Sequence, residues 1–368
     1  MILYILVATV TVVLGLYVNS RCELIGNRIS RQQMLNGLCL TFIFLTLFAI
    51  SACRLNVGND YAKYVEFMHL IYCDAYVPTE IGFNSLVKLL YAISGFENFL
   101  LVFAFFAFFT ILLFLISIYR QADSFGFSFF LFMAFGYYFQ SFNTVRYYLA
   151  LAIAVFAIPY VLRKEWLKFV FLVILGSTFH KSLLVILPLY YLASITWKKW
   201  QLALIALFCT TFFFLQDIYL KIVVFLYPTY EDTEYLEGGT SYVNIARCLG
   251  VLVLALLCYR KTVKGNRRNS FYFYCNLGAL VMYVCCSFLP IISRIGYYLT
   301  VTHIFFLPAL LAGMENKKWK KLFTIGVVAA GILYFALFMR RAGADGLRIL
   351  PYETFMFHDM VPILSDVN

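Results

Sequence analysis

"ENFLLVFAFFAFFTILLFLISI", residues 97–118, carries one charge at its first position and then almost nothing but aliphatic and aromatic side chains. A bilayer core about 30 Å thick is crossed by a helix of about 20 such residues. Runs of the same kind recur at 3–19, 35–52, 125–142, 147–162, 201–219, 242–259, 271–289, 297–313 and 322–338. Residues 168–196 hold two shorter runs on either side of "FHKS", which brings the expectation to about twelve spans. The composition agrees: 63% of the 368 residues are hydrophobic and 13% charged, with 40 Phe and 28 Tyr, more than a water-soluble core absorbs. The expected fold is all-α, a polytopic integral membrane bundle, with residues 1–368 as a single transmembrane domain. Neither an internal repeat nor a low-complexity linker divides it. The first apolar run has no basic leader and no small-residue site after it, so it is expected to stay on the chain.

Lysine and arginine set the orientation. With the N-terminus outside, the inner loops collect Arg28, Arg31, Arg120, Lys164, Lys198, Arg260, Arg267, Lys318 and Lys321 among others, as the positive-inside rule requires. "RKEWLK" and "WKKW" must then share the inner side, which makes 168–179 and 182–196 two spans with His180 at the outer turn between them. The net charge of +11 thereby reports topology; basic residues scattered over short loops do not make a nucleic-acid surface, and no nucleic-acid partner is expected.

A second set of cations falls outside or at outer span ends, where that rule disfavours them: Arg54, Lys88, Arg146, Lys181, Arg247, Arg294, Arg340, Arg341 and Arg348. Most carboxylates map outside too, including Asp60, Glu80 and Glu97, and so do His69, His180, His303 and His358. The outer segments 53–96, 220–241 and 339–368 are the long ones, so any chemistry is expected to face outward. Within the first, "EIGFNSLVKLLYAISGF" spaces Ile81, Leu86, Leu89, Leu90 and Ile93 as an amphipathic helix lying on the outer interface. Cys53 and Cys73 are the one pair placed to meet outside as a disulfide.

"GNDYAKYVEF" (58–67), "EIGFNSL" (80–86), "NTVRYYLALAIAV" (143–155), "STFHKSLLVILPLY" (177–190), "SRIGYY" (293–298) and "LPYETF" (350–355) follow one another in an order that resembles the EpsG family, the Wzy-like polysaccharide polymerases of bacterial membranes. One departure is Tyr147, where the family often carries Gln. The resemblance implies a glycosyltransferase related in fold to the C-type class, joining polyprenyl-diphosphate-linked oligosaccharides on the outer face of the inner, cytoplasmic membrane. It also implies the lipid bilayer, a chain-length regulator and a flippase as partners.

The residues themselves can be matched to that chemistry. Diphosphates at the outer interface are reached bidentately by arginines on span ends; Arg146 and Arg294 are the expected clamp, with Arg54, Arg247 and Arg341 as further diphosphate ligands. An inverting transfer needs a base on the acceptor hydroxyl and positive charge on the leaving diphosphate. Asp60 is the first candidate base, His180 the second and Glu80 the third. Tyr61, Asn143, Tyr147 and Tyr298 are expected to position sugars. Neither a metal nor a cofactor is expected: no DxD motif occurs, and the arginines supply the charge.

Each residue also has a plainer reading. Arginines near span ends snorkel to the interface, His180 caps a helical turn, His303 makes an interhelical hydrogen bond, and Asp232 and Glu234 form a solvated acidic loop rather than a cation site. Three rival functions stay open. An O-antigen ligase uses the same donor with a lipid-core acceptor, and a lipid-linked oligosaccharide flippase does no chemistry but favours repeat-related halves. A membrane O-acyltransferase leaves the outer arginines without a phosphate.

Overall fold

The computed structural model describes residues 1–20, 30–226, 240–289, 292–344 and 346–357. The described chain is all-helical, with 76% of it in helix and no strands. The helices are α1 (Ile2–Leu16), α2 (Arg31–Ala52), α3 (Tyr61–Tyr72), α4 (Ile81–Ser94), α5 (Phe99–Gln121), α6 (Phe125–Ala134), α7 (Tyr137–Gln140), α8 (Val145–Leu162) and α9 (Trp166–Ser177). After a 3₁₀ turn at Lys181–Val185 come α10 (Ile186–Ser194), α11 (Lys199–Phe214), α12 (Gln216–Leu226), α13 (Tyr242–Leu257), α14 (Arg267–Cys285), α15 (Ile292–Thr300), α16 (His303–Ala312) and α17 (Lys317–Arg341). Caps mark several starts: Ser30 and Gln33 exchange bonds at α2, and Asn98 and Asn316 accept first-turn amides of α5 and α17. Each satisfies backbone donors that a helix start leaves open.

Among the described residues, five helical segments are long and apolar enough to cross a membrane: Arg31–Ala52, Phe99–Gln121, Val145–Leu162, Ile292–Ala312 and Lys317–Arg341. A sixth follows if the pair Ala203–Phe212 and Gln216–Ile222, bent by 85°, counts as one span. The count of twelve is not reached, because several apolar runs are interrupted. The run 125–142 divides into α6 and α7, and 168–196 becomes a 12-residue helix, a 3₁₀ turn and a 9-residue helix. Twelve residues of helix rise about 18 Å, short of a bilayer core. These and the other short apolar helices still leave a multi-pass membrane protein as the only solvent match for so much exposed Leu, Ile and Phe.

The chain forms two compact units. Unit 1 comprises Met1–Ala157, Val170–Leu184 and Asn316–Asn368; unit 2 comprises Ile158–Phe169 and Val185–Glu315. In unit 1, α2 packs on α1 and α5, α6 on α1, α5 and α17, and α4 on α3 and α5. In unit 2, α14 is central, touching α10, α11, α13, α15 and α16.

The amphipathic helix of the first outer segment exists as α4. Phe83, Leu86, Val87, Leu90 and Tyr91 are buried, while Ile81, Leu89 and Ile93 stay exposed, so its apolar surface wraps beyond the face that packs. Cys53 and Cys73 are both free thiols, against the expected disulfide. Cys53 ends α2 and Cys73 ends α3, and the 12 residues of α3 stand between Cys73 and the 53–60 loop, about 18 Å of helix.

Candidate functional site

In unit 1 three separate stretches converge on Arg146. It lies in the first turn of α8 and forms an ion pair with Glu80, the residue before α4; their side chains are only 14% and 17% exposed. The other Glu80 oxygen, Oε1, accepts the Lys181 backbone N–H at 3.1 Å. One rung further on, Gly82 N–H donates to the Thr178 carbonyl at 2.8 Å. A Cβ at Gly82 would come within 2.4 Å of Thr178 Oγ1 and 2.7 Å of its carbonyl oxygen, so only glycine lets the start of α4 abut the 178–181 turn. That turn also carries His180, whose Nδ1 is 2.7 Å from Ser182 Oγ and whose ring meets Tyr147 edge-on at 5.5 Å.

The guanidinium of Arg146 faces Phe83 at 5.2 Å and Tyr64 at 5.6 Å, contacts that stabilise a partly desolvated cation. Its Nε is buried without a hydrogen bond, so the Glu80 carboxylate leaves part of the donor fork unused. Burial pushes the Tyr64 hydroxyl pKa up; Arg146 beside it pulls it down, and Asp60 adds to the rise. Tyr64 thus feels both Arg146 and Asp60. Other carboxylates of this segment are spoken for at the surface: Glu66 by Lys63 at 3.0 Å, Glu97 by His69 at 2.9 Å, and Asp74 by Lys88, which holds the Asp74 carboxyl below its usual range.

Asp60 is the N-cap residue of α3, without a side-chain cap bond. The loop before it is clasped from two sides. Asn143 Oδ1 accepts Asn59 N–H at 2.5 Å, while Gly58 and Asn59 donate to the carbonyls of Arg348 and Leu347 in the C-terminal segment at 2.9 and 3.1 Å. Gly58 sits at φ +112° with the Phe142 carbonyl 2.5 Å from where a Cβ would be, a conformation and a gap that L side chains do not fit.

Arg54 is enclosed rather than presented outward, with 1% of its surface exposed. Its Nη1 donates to the Ser51 carbonyl and to Ser51 Oγ, between the rings of Phe103 and Phe142 at 5.0 and 5.1 Å. Burial pushes its pKa down, and Tyr61, Tyr138, Tyr4 and Tyr352 counter the shift. Tyr4, Tyr138 and Tyr352 spend their hydroxyl protons on the carbonyls of Ile349, Leu47 and Ile50, leaving oxygen lone pairs for the cation. Tyr61 is 1% exposed and stacks on Phe103 at 4.5 Å. Arg341, at the last turn of α17, is exposed.

Arg247, Arg294 and Tyr298 belong to unit 2. Tyr298 is fully buried, and its carbonyl accepts the Tyr190 hydroxyl at 2.7 Å. Among the described residues no group of three or more His, Cys, Asp or Glu side chains is placed to hold a metal ion. The acidic loop with Asp232 and Glu234, together with His358, lies outside the described residues.

Of the residues singled out from the sequence, Glu80, Arg146, Tyr147 and His180 thus meet in one cluster. Tyr64, Phe83, Gly82 and the Lys181 amide were missed. An aromatic residue next to Gly82, inside a stretch that already held Glu80, was the one available signal.

The described residues form a multi-pass helical membrane protein whose unit 1 holds a largely buried arginine–carboxylate pair. The chain is a member of the EpsG family, whose family model matches residues 37–354. Membership supports, at family level, a polysaccharide-polymerase-like role in the membrane. No curated protein and no solved structure matches the chain.

Proposed function

We propose that the chain is a glycosyltransferase that extends a polysaccharide by joining polyprenyl-diphosphate-linked oligosaccharide repeat units on the outer face of the inner membrane, with inversion and without a metal, in a fold of the C-type kind. The observation that carries this reading is the Glu80–Arg146 pair. Glu80 occupies, with two oxygens, the position an anion would take between a guanidinium and a backbone N–H. A phosphate offers more acceptor oxygens than a carboxylate, enough to use the idle Nε of Arg146 as well.

The donor diphosphate displaces the Glu80 carboxylate, and Arg146 turns its fork to the phosphate. Glu80, released beside His180, accepts the proton of the acceptor hydroxyl. The acceptor oxygen then bonds to the anomeric carbon, the bond from that carbon to the phosphate oxygen breaks, and the electron pair leaves on the diphosphate held by Arg146. Positive charge fixed where negative charge grows is the largest catalytic term such a site supplies. Asp60 acts on this centre through Tyr64, which makes it an orienting group ahead of a base.

The test uses the purified full chain in lipid vesicles with lipid-linked repeat units and a chelator present. Polymer longer than one unit is the expected product. Transfer only to a lipid core would identify a ligase, and passage across the bilayer without new glycosidic bonds a flippase; either would overturn the reading.

A further inference from the structure

Unit 1 holds a cleft that the Arg146 cluster does not use. It encloses about 470 Å³ between α2 and α5, walled by Leu40, Thr41 and Phe44 on one helix and by Leu112, Leu115 and Ile116 on the other. The two helices run antiparallel: Asn36, near the start of α2, meets Tyr119, near the end of α5, and Phe44 meets Phe108 edge-on at 5.3 Å. Both are long and apolar enough to cross a membrane, so the cleft runs along hydrocarbon. Thr41, on its rim, is exposed, which opens the cleft sideways to that hydrocarbon.

Tyr119 and Arg120 make its polar end. Arg120 is exposed and forms no ion pair among the described residues. No carboxylate lines the cleft; Asp123 lies further on, in the turn before α6. Tyr119 is a second donor. The Asn36 amide is oriented by Asn19, whose N–H it accepts on Oδ1 at 2.9 Å and whose carbonyl takes Nδ2 at 2.8 Å. Nδ2 then also donates to the Tyr119 oxygen at 3.4 Å, and the phenol proton is left to donate elsewhere. A guanidinium fork beside a phenol proton, both donors, selects an anion, and phosphate oxygens suit the fork best.

We infer that the α2–α5 cleft binds an anionic phospholipid, with one acyl chain between the two helices and the phosphate on Arg120 and Tyr119. The dimensions fit one leaflet. From Leu112 to Arg120 the wall rises about 12 Å, most of the half-thickness of a hydrocarbon core about 30 Å across, and beyond Leu112 the Phe44 and Phe108 rings close on each other. A polyprenyl chain, several times longer than an acyl chain, would have to leave so short a cleft. The side fits as well: Arg120 and the start of α2 at Arg31 stand at the end that the basic-loop rule puts inside, where anionic phospholipids give the membrane surface its negative potential. The site is separate from the donor cradle proposed at Arg146 and does not depend on what that cradle transfers.

The experiment strips the purified full chain of lipid in mild detergent and titrates it, with native mass spectrometry as the readout. The probes are phosphatidylglycerol, phosphatidylcholine with the same acyl chains, and polyprenyl phosphate. One phosphatidylglycerol should be retained about tenfold more tightly than phosphatidylcholine, the order of one charge-assisted hydrogen bond. Arg120→Gln should erase that preference and leave the weaker phosphatidylcholine binding as it was. Tyr119→Phe should reduce the preference without erasing it. Thr41→Trp, which fills the cleft from its exposed rim and leaves Arg120 in place, should expel both phospholipids. Helical circular dichroism checks that the variants fold, and all three substitutions lie at exposed or half-buried positions. Equal retention of the two phospholipids, or a preference that survives Arg120→Gln, would overturn the inference. Binding untouched by Thr41→Trp would mean a headgroup held at the surface with no chain in the cleft. Polyprenyl phosphate displacing phosphatidylglycerol at equal concentration would assign the cleft to the carrier lipid instead. Since lipid retention is read without turnover, a chain that makes no polymer would sink the polymerase reading and leave this site standing.

Discussion

Arg146 stands in the first turn of α8 with its guanidinium against the rings of Phe83 and Tyr64. A guanidinium at a span end is tolerated if it snorkels, but this one is 14% exposed, so it needs charge compensation, and Glu80 supplies it across 66 residues of chain. If Glu80 is a stand-in for phosphate, it competes with the substrate. Glu80→Gln removes the charge but keeps an oxygen for the Lys181 amide, so polyprenyl diphosphate should bind about tenfold more tightly, as expected when a competing ionic partner worth about 1.4 kcal/mol is removed, while polymer formation falls to background. Arg146→Lys keeps the charge and loses the fork, and should weaken binding instead. Binding to nanodiscs read by thermal shift checks both. Weaker diphosphate binding in Glu80→Gln would mean that the pair is purely structural. Both residues were legible as candidates, since each is a charge in an otherwise apolar motif. Their pairing was not, because no spacing rule connects residues so far apart. Arg54 was legible as a charge but its burial was not: nothing local in "CRLN" reveals that it is enclosed, within electrostatic reach of Tyr4, Tyr61, Tyr138 and Tyr352.

Among elements, α4 and the C-terminal segment do most to place the site. The hydrophobic periodicity located α4 to within two residues at each end, whereas its docking depends on Gly82, whose need for glycine shows only once Thr178 is seen against it. Gly82→Ala should push the start of α4 off the 178–181 turn and separate Glu80 from Lys181. Displacement of about 1 Å at a catalytic group costs on the order of a hundredfold in rate, so turnover should fall by that order with the helical circular dichroism retained. Adding Thr178→Gly removes the 2.4 Å clash with Oγ1 but not the 2.7 Å clash with the carbonyl, and should restore activity only in part. Full restoration would mean that the backbone contact has no role. The C-terminal segment behaves alike. Leu347, Arg348 and Glu353 offer their carbonyls to Asn59, Gly58 and Leu55, and Phe355 donates to Cys53. Ending the chain after Ala344 should therefore unpair the loop that leads to Asp60. The readout is protease cleavage within 53–60, expected in the shortened chain and absent in the full one.

For the whole molecule, composition was enough to name the solvent, because exposed Leu, Ile and Phe on this scale have no stable home in water. It was not enough to count spans. Apolar runs read alike whether a helix crosses straight, breaks at Gly136 or bends by 85° between Phe212 and Gln216, since hydropathy does not see the turn that interrupts it. The orientation argument alternates sides along the same runs and therefore needs its own test. It places Lys181 and Thr240 outside and Asn266 inside, and all three are exposed on the protein surface. With the native cysteines replaced, Lys181→Cys and Thr240→Cys should react with a membrane-impermeant thiol reagent in intact cells, and Asn266→Cys only after the membrane is opened. Residue 181 matters most, because its amide holds Glu80 and the substitution keeps that amide. Labelling at 181 from the cytoplasmic side alone would turn the Glu80–Arg146 cradle inward. The donor would then have to arrive from the cytoplasm, where a nucleotide sugar carries a diphosphate of the same charge, and lipid-linked units would no longer be the substrate the cradle fits.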